Sequence, residues 1–169
     1  VAVLAAFTGS AWRAREDLRG SAAEGMGTQP TMVANRISYQ LGLSGPSLIV
    51  DSACSSWLVG LDFVGDQLRK DACTAGLVVG TKLVHHAATL VHGAVTGILS
   101  PGGRCRSFDA AADGTLLGEA AGCLMIREQG TAHRGDSAWA IVKSSSCSGT
   151  GRSAGLGAPS GPAQARNAL

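Results

Sequence analysis

Between Pro46 and Thr81 the chain sets two short apolar runs on either side of one helical stretch, and this alternation constrains the fold more than any other feature. Leu48, Ile49 and Val50 form an apolar, partly β-branched run that reads as a buried strand. Leu58, Leu61, Val64 and Leu68 then recur at helical spacing, predicting a helix over 55–70 with Arg69 and Lys70 in a last turn that favours cations. Ala75 to Thr81 is apolar and short enough for a second buried strand. Strand, helix and strand in this order predict a parallel βαβ unit and an α/β fold.

The run Pro46-Ser-Leu-Ile-Val-Asp-Ser-Ala-Cys-Ser-Ser56 places one cysteine, Cys54, where the first strand gives way to the helix. A helix's first turn carries unpaired N–H groups and the positive end of the dipole, which favour thiolate over thiol. The same N–H groups can hold a developing oxyanion. Ser52, Ala53, Ser55 and Ser56 are small, so an acyl thioester can approach the sulfur. Packing as a small hydrophobe is the commoner fate of a free cysteine, and the elbow alone leaves both readings open.

Elsewhere the pattern is plainer. Residues 1–30 mix Ala, Gly and charge, with a short helix near Ala11 to Arg19. Thr31 to Tyr39 reads as a helix closing at Gly42, and Thr89 to Leu99 as another, stopped by Pro101-Gly102-Gly103. Phe108 to Gly114 reads as loop, Gly118 to Arg127 as strand and Gln129 to Asp136 as a polar connection. Trp139 to Lys143 reads as a further strand, Gly149 to Gly161 as loop, and a last helix starts near Pro162.

A length of 169 residues suffices for a sizeable core. A net charge of +2 and 4% aromatic residues leave neither the basic footprint nor the stacking platform that nucleic-acid binding needs. Cysteines 54, 73, 105, 123 and 147 include no Cys-x-x-Cys pair, which argues for a reducing compartment and against a disulfide framework or zinc site. No secretory signal is evident, and Lys82, His85, His86 and His92 interrupt the longest apolar stretch, so no membrane span and a cytoplasmic location are expected.

The literal strings add to this reading. Asp51-Ser-Ala-Cys-Ser-Ser56, preceded by Asn35-Arg-Ile-Ser-Tyr39 and Gly42-Leu-Ser-Gly-Pro-Ser47, resembles the active-site segment of β-ketoacyl synthases, especially the ketosynthase domains of type I polyketide synthases. Leu99-Ser-Pro-Gly-Gly-Arg-Cys-Arg-Ser-Phe-Asp-Ala-Ala-Ala-Asp-Gly114, Gly118-Glu-Ala-Ala-Gly122 and Gly151-Arg-Ser-Ala-Gly-Leu-Gly-Ala-Pro-Ser-Gly-Pro-Ala-Gln164 are similar to later blocks of that family, in its order. The resemblance covers roughly residues 30 to 165.

It implies a partial thiolase-like layered fold, with 1–128 as the later part of the first half and 129–169 as the opening of the second. It also implies that Cys54 accepts an acyl group, which is condensed with a malonyl-type thioester by decarboxylative Claisen chemistry. The family's condensation histidines are expected beyond Leu169. The implied partner is an acyl carrier protein whose phosphopantetheine bears the acyl group, with no cofactor bound by this segment. A homodimer is implied too, through the strand near Ala75–Thr81.

His85, His86, His92 and His133 match none of the family's histidine motifs and read as surface or packing residues. Asp109, Asp113 and Glu119 admit an acid/base or divalent-metal reading, yet Asp113-Gly114 is also a turn signal, and a structural role is preferred. Asp51 reads as an anchor of the strand end. Departures from the family pattern include Trp57 in place of a small serine, Gly102 in place of Asp, Ala120 in place of Gly, and Ser146-Cys-Ser-Gly-Thr-Gly151 without its Asn and Asp. Trp57 either narrows the acyl site or fills a neighbouring gap. Two rival readings are a non-catalytic ketosynthase-derived dimerisation or scaffold protein, and an acyltransferase or thioesterase-like activity without condensation.

Overall fold

The computed structural model describes residues 1–7, 27, 29–84, 86–131, 135–155 and 158–168; the helix expected near Ala11 to Arg19 lies outside them. Among the described residues, four strands form one sheet: β1 (Ala2–Phe7), β2 (Ser47–Val50), β3 (Ala75–Lys82) and β4 (Ala120–Arg127). Their order is β2-β1-β3-β4, with β1 parallel to both β2 and β3, and β4 antiparallel to β3. The helices are α1 (Thr31–Leu41), α2 (Ser56–Arg69), α3 (Ala87–Val95) and α4 (Gly161–Ala168).

Side chains along a strand alternate between faces, and the core divides accordingly. Ile49, Leu77 and Val79 pack with Ala34 and Ile37 of α1, whereas Leu48, Val50, Val78 and Ile126 pack with Val64 and Trp57 of α2. The two helices therefore cover opposite faces of the sheet, giving three layers. α1 ends where Gly42 turns left-handed at φ 62°, while the Leu43 N–H reaches the Ser38 carbonyl at 2.8 Å. That conformation suits a residue without a β-carbon.

Several sequence-based expectations change here. The two strands of the βαβ unit are parallel but not adjacent, because β1 lies between them. β1 itself was not expected; a central strand is a continuous apolar run without the alternation that marks a half-buried one. The inner face of α2 departs from the expected stripe at one position. Leu58 is 60% exposed, whereas Val64 and Leu68 turn inward as expected, joined by Trp57 and Gly60. Trp139 to Lys143 is irregular, and Trp139 is fully exposed: no described strand offers it a ladder.

The strand expected to pair in the homodimer, Ala75–Thr81, needs correction. Every residue of that segment from Gly76 to Thr81 pairs with β1 on one side and β4 on the other. A strand with both edges occupied has no backbone groups left for pairing across a two-fold axis. The outer edges of the sheet belong to β2 and β4.

Candidate active site

Cys54 lies in a 3-10 turn (Ala53–Ser55) between the C-terminal end of β2 and the start of α2, and it is exposed. The turn is built almost entirely from its own side chains. Asp51 accepts the Ala53 N–H through Oδ1 at 3.1 Å. The Ser55 hydroxyl donates to the Ser52 carbonyl at 2.8 Å and lies 3.0 Å from the Ser52 hydroxyl. Ser56, only 2% exposed, clamps both sides: its hydroxyl donates to the Ala53 carbonyl at 2.7 Å and accepts the Ser52 N–H at 2.8 Å.

These bonds hold Ala53 in a left-handed conformation, φ 55°. A non-glycine residue there costs about 1–3 kcal/mol and persists only where the surroundings over-determine it. The backbone bonds that close the turn come from the Ser55 N–H to Ser52 and the Ser56 N–H to Ala53, and neither uses the Cys54 N–H. The arrangement presents a thiol on a tight, internally braced turn ahead of a 14-residue helix. Asp51 serves as the expected anchor. The serines read in the sequence as merely small carry a second duty: Ser56 is the keystone of the turn. Serine's habit of bonding to backbone three and four residues back is the signal for it.

Trp57, the departure nearest the cysteine, fills a gap. Its indole lies over Gly80 of β3, where a β-carbon would stand 2.7 Å from the indole Cδ1. Two turns further along the same helical face, Val64 occupies the space over Gly76 in the same way.

The other candidates have local partners. Asp113 accepts from the buried Ser100 hydroxyl at 2.6 Å and pairs with Arg106 at 3.3 Å. Asp109 accepts the Ala111 N–H at 2.8 Å, and Glu119 accepts the Val84 N–H. These bonds tie the 99–119 segment to itself and to the end of β3. Among the described residues, no group of three or more His, Cys, Asp or Glu side chains is arranged to hold a metal ion. His86 caps α3, its Nδ1 accepting the Ala88 N–H at 3.0 Å, and His92 lies in that helix's last turn. His85 and His133 lie outside the described residues. The turn lost with Gly102 is closed by the Gly103 N–H to the Ser100 carbonyl, with Gly103 at φ 64°.

Residues 2–132 match the sequence model of the beta-ketoacyl synthase N-terminal domain. The chain belongs to the β-ketoacyl synthase family. It is 39% identical over 153 residues to the polyketide synthase GfsA of Streptomyces halstedii, a match covering 87% of this chain and 2% of that protein. It is 40% identical over 139 residues to the spectinabilin polyketide synthase system protein NorC of Streptomyces orinoci, covering 82% and 6%. Among solved structures it is similar to the Streptomyces albus JA3453 oxazolomycin ketosynthase domain OzmH KS7, with TM-score 0.66 and 27% identity over 76% of this chain and 23% of that one. The ketosynthase from module 1 of the bacillaene synthase of Bacillus amyloliquefaciens FZB42 gives the same figures. The chain thus spans a few per cent of its curated relatives and about a quarter of these ketosynthases. The fold is a part of the thiolase-like α/β architecture.

Proposed function

We propose that this segment supplies the acyl-accepting thiol of a polyketide-type ketosynthase, with Cys54 as the nucleophile. The observation that carries this reading is the exposed Cys54 on a strained, hydrogen-bonded turn at the strand-to-helix junction of a β-ketoacyl synthase family chain. The Cys54 sulfur attacks the carbonyl of an acyl thioester, a tetrahedral oxyanion forms, and the donor thiol leaves with a proton as the acyl group remains on Sγ. A backbone N–H at the turn is suited to the oxyanion.

In the whole synthase this acyl-enzyme is the electrophile for decarboxylative condensation with a malonyl-type thioester. The donor partner in this reading is an acyl carrier protein bearing the acyl group on phosphopantetheine. The similarity to polyketide synthases supports that choice. A homodimer is part of the same reading, and the outer edges of β2 and β4, not β3, are the ones open to strand pairing among the described strands.

Incubation with an acyl-pantetheine thioester followed by intact-mass measurement tests the first step. The wild-type chain is expected to gain one acyl group that Cys54→Ala does not gain. Equal gain in both, or none in a folded sample, contradicts the assignment. Gain followed by hydrolysis, with no condensation by the complete synthase, favours the acyltransferase or thioesterase-like reading.

A further inference from the structure

Where α2 sits on the sheet is set by two glycines on one face of β3. Gly76 and Gly80 are four residues apart on a strand and so share a face. Val64 fills the space above the first and Trp57 the space above the second. Trp57 and Val64 are seven apart on the helix and share its inner stripe. The helix therefore runs antiparallel to β3, and its first turn rests at the level of Gly80.

Gly80 also marks the height of the sheet at which the Cys54 turn begins. Ala6 of β1 is in register with Val50 on one side and Gly80 on the other. Val50 is the last residue of β2, immediately before Asp51. The indole of Trp57 is thus seated level with the strand end from which the cysteine turn springs. Its neighbour in sequence is Ser56, whose hydroxyl bonds both the Ser52 N–H and the Ala53 carbonyl.

We propose that Trp57 is a positioning residue for Cys54: its indole, locked over Gly80, fixes the start of α2 and through Ser56 holds the 51–56 turn in its strained form. The proposal builds on the reading of Cys54 as acyl acceptor but makes a separate structural claim. If the start of the helix slides along β3, both Ser56 bonds are disturbed and Ala53 is free to leave φ 55°. A β-carbon at Gly80 displaces the indole, and a small residue at 57 removes it. Each change releases the turn by the same route, so their effects do not add.

Hydrogen–deuterium exchange on the full chain, read by mass spectrometry, tests this with Trp57→Ser, Trp57→Phe, Gly80→Ala and the Trp57→Ser/Gly80→Ala pair. Trp57→Ser and Gly80→Ala are each expected to speed exchange in the 51–57 segment about tenfold, with the α1 segment 31–41 held within about twofold of wild type. The double variant is expected to match the singles, and Trp57→Phe, which keeps an aromatic ring over Gly80, to restore most of the protection. Unchanged exchange in 51–57, equal acceleration in every segment, or additive effects in the double variant would overturn the proposal. Acyl loading of the wild-type chain, measured beside it, separates the two claims: no loading with the expected exchange pattern removes the acyl-acceptor reading alone, and loading with an unchanged turn removes the positioning role alone.

Discussion

Ser56 is the residue on which the geometry around Cys54 depends most. Replacing it with Ala leaves the Ser52 N–H and the Ala53 carbonyl without their side-chain partner at a nearly buried position. Ser56→Ala is expected to lower stability by about 1–3 kcal/mol, read by urea denaturation; a loss below about 0.5 kcal/mol would mean that water replaces both bonds. The other cysteines make a second test. Hydrogen bonds from Ser107 and then Thr115 hold the Cys105 thiol below the ordinary thiol range. Burial pushes Cys123 up, and burial with the Asp62 carboxylate pushes Cys147 up. A lowered value leaves more thiolate at a given pH, so the midpoint of Cys105 alkylation is expected at lower pH than those of Cys123 and Cys147. Peptide-resolved iodoacetamide labelling across pH checks the order, and Asp62→Asn is expected to bring the Cys147 midpoint down. The position of Cys54 at the strand-to-helix junction was legible in the sequence because an apolar run, a cysteine and a helical stripe stand in a row. The keystone role of Ser56 was not: serine bonding to nearby backbone appears in no periodicity, and a hydroxyl beside a cysteine first reads as absence of bulk.

At the scale of elements, α2 is held to β3 by side chains seated over glycines. Gly76→Ala sets a methyl group against Val64 and is expected to cost about 1–3 kcal/mol by overpacking. Val64→Ala in the same chain is expected to recover part of that loss, and denaturation of the two singles and the double measures the coupling. Strict additivity would show that the helix has shifted away from β3. The elements read most accurately from sequence were those with marked ends: α1 with Gly42 after it, β2 after Pro46, and β3 as a compact apolar run. Two failures have physical causes. The alanine-rich β1 carries neither β-branched alternation nor turn residues to distinguish it from helix or loop. Trp139 to Lys143 has a strand's composition without a partner among the described strands, and pairing rather than composition makes a strand.

For the whole molecule, the decisive features are the three-layer arrangement and what it leaves uncovered. β4 is an edge strand with most of its residues exposed, Met125 by 57%. Leu90, Val91, Val95 and Ile98 in and after α3 are exposed as well. Open edges and apolar patches of this kind promote association. Sedimentation velocity on the 169-residue chain is expected to show concentration-dependent self-association, reduced by Met125→Lys; a monomer at every concentration would contradict this. The fold class and family followed from the order of short sequence blocks, whereas the position of β1 between β2 and β3, and with it the loss of any free edge on β3, emerged only from strand register. In the function proposed above, one of the five free thiols, Cys54, is the acyl acceptor. Peptide mapping after exposure to an acyl-pantetheine thioester compares all five within the same molecule. The acyl group is expected on Cys54, with Cys105 the nearest competitor at a small fraction of that occupancy; acyl groups spread across the exposed cysteines, or concentrated on Cys105, would overturn the assignment.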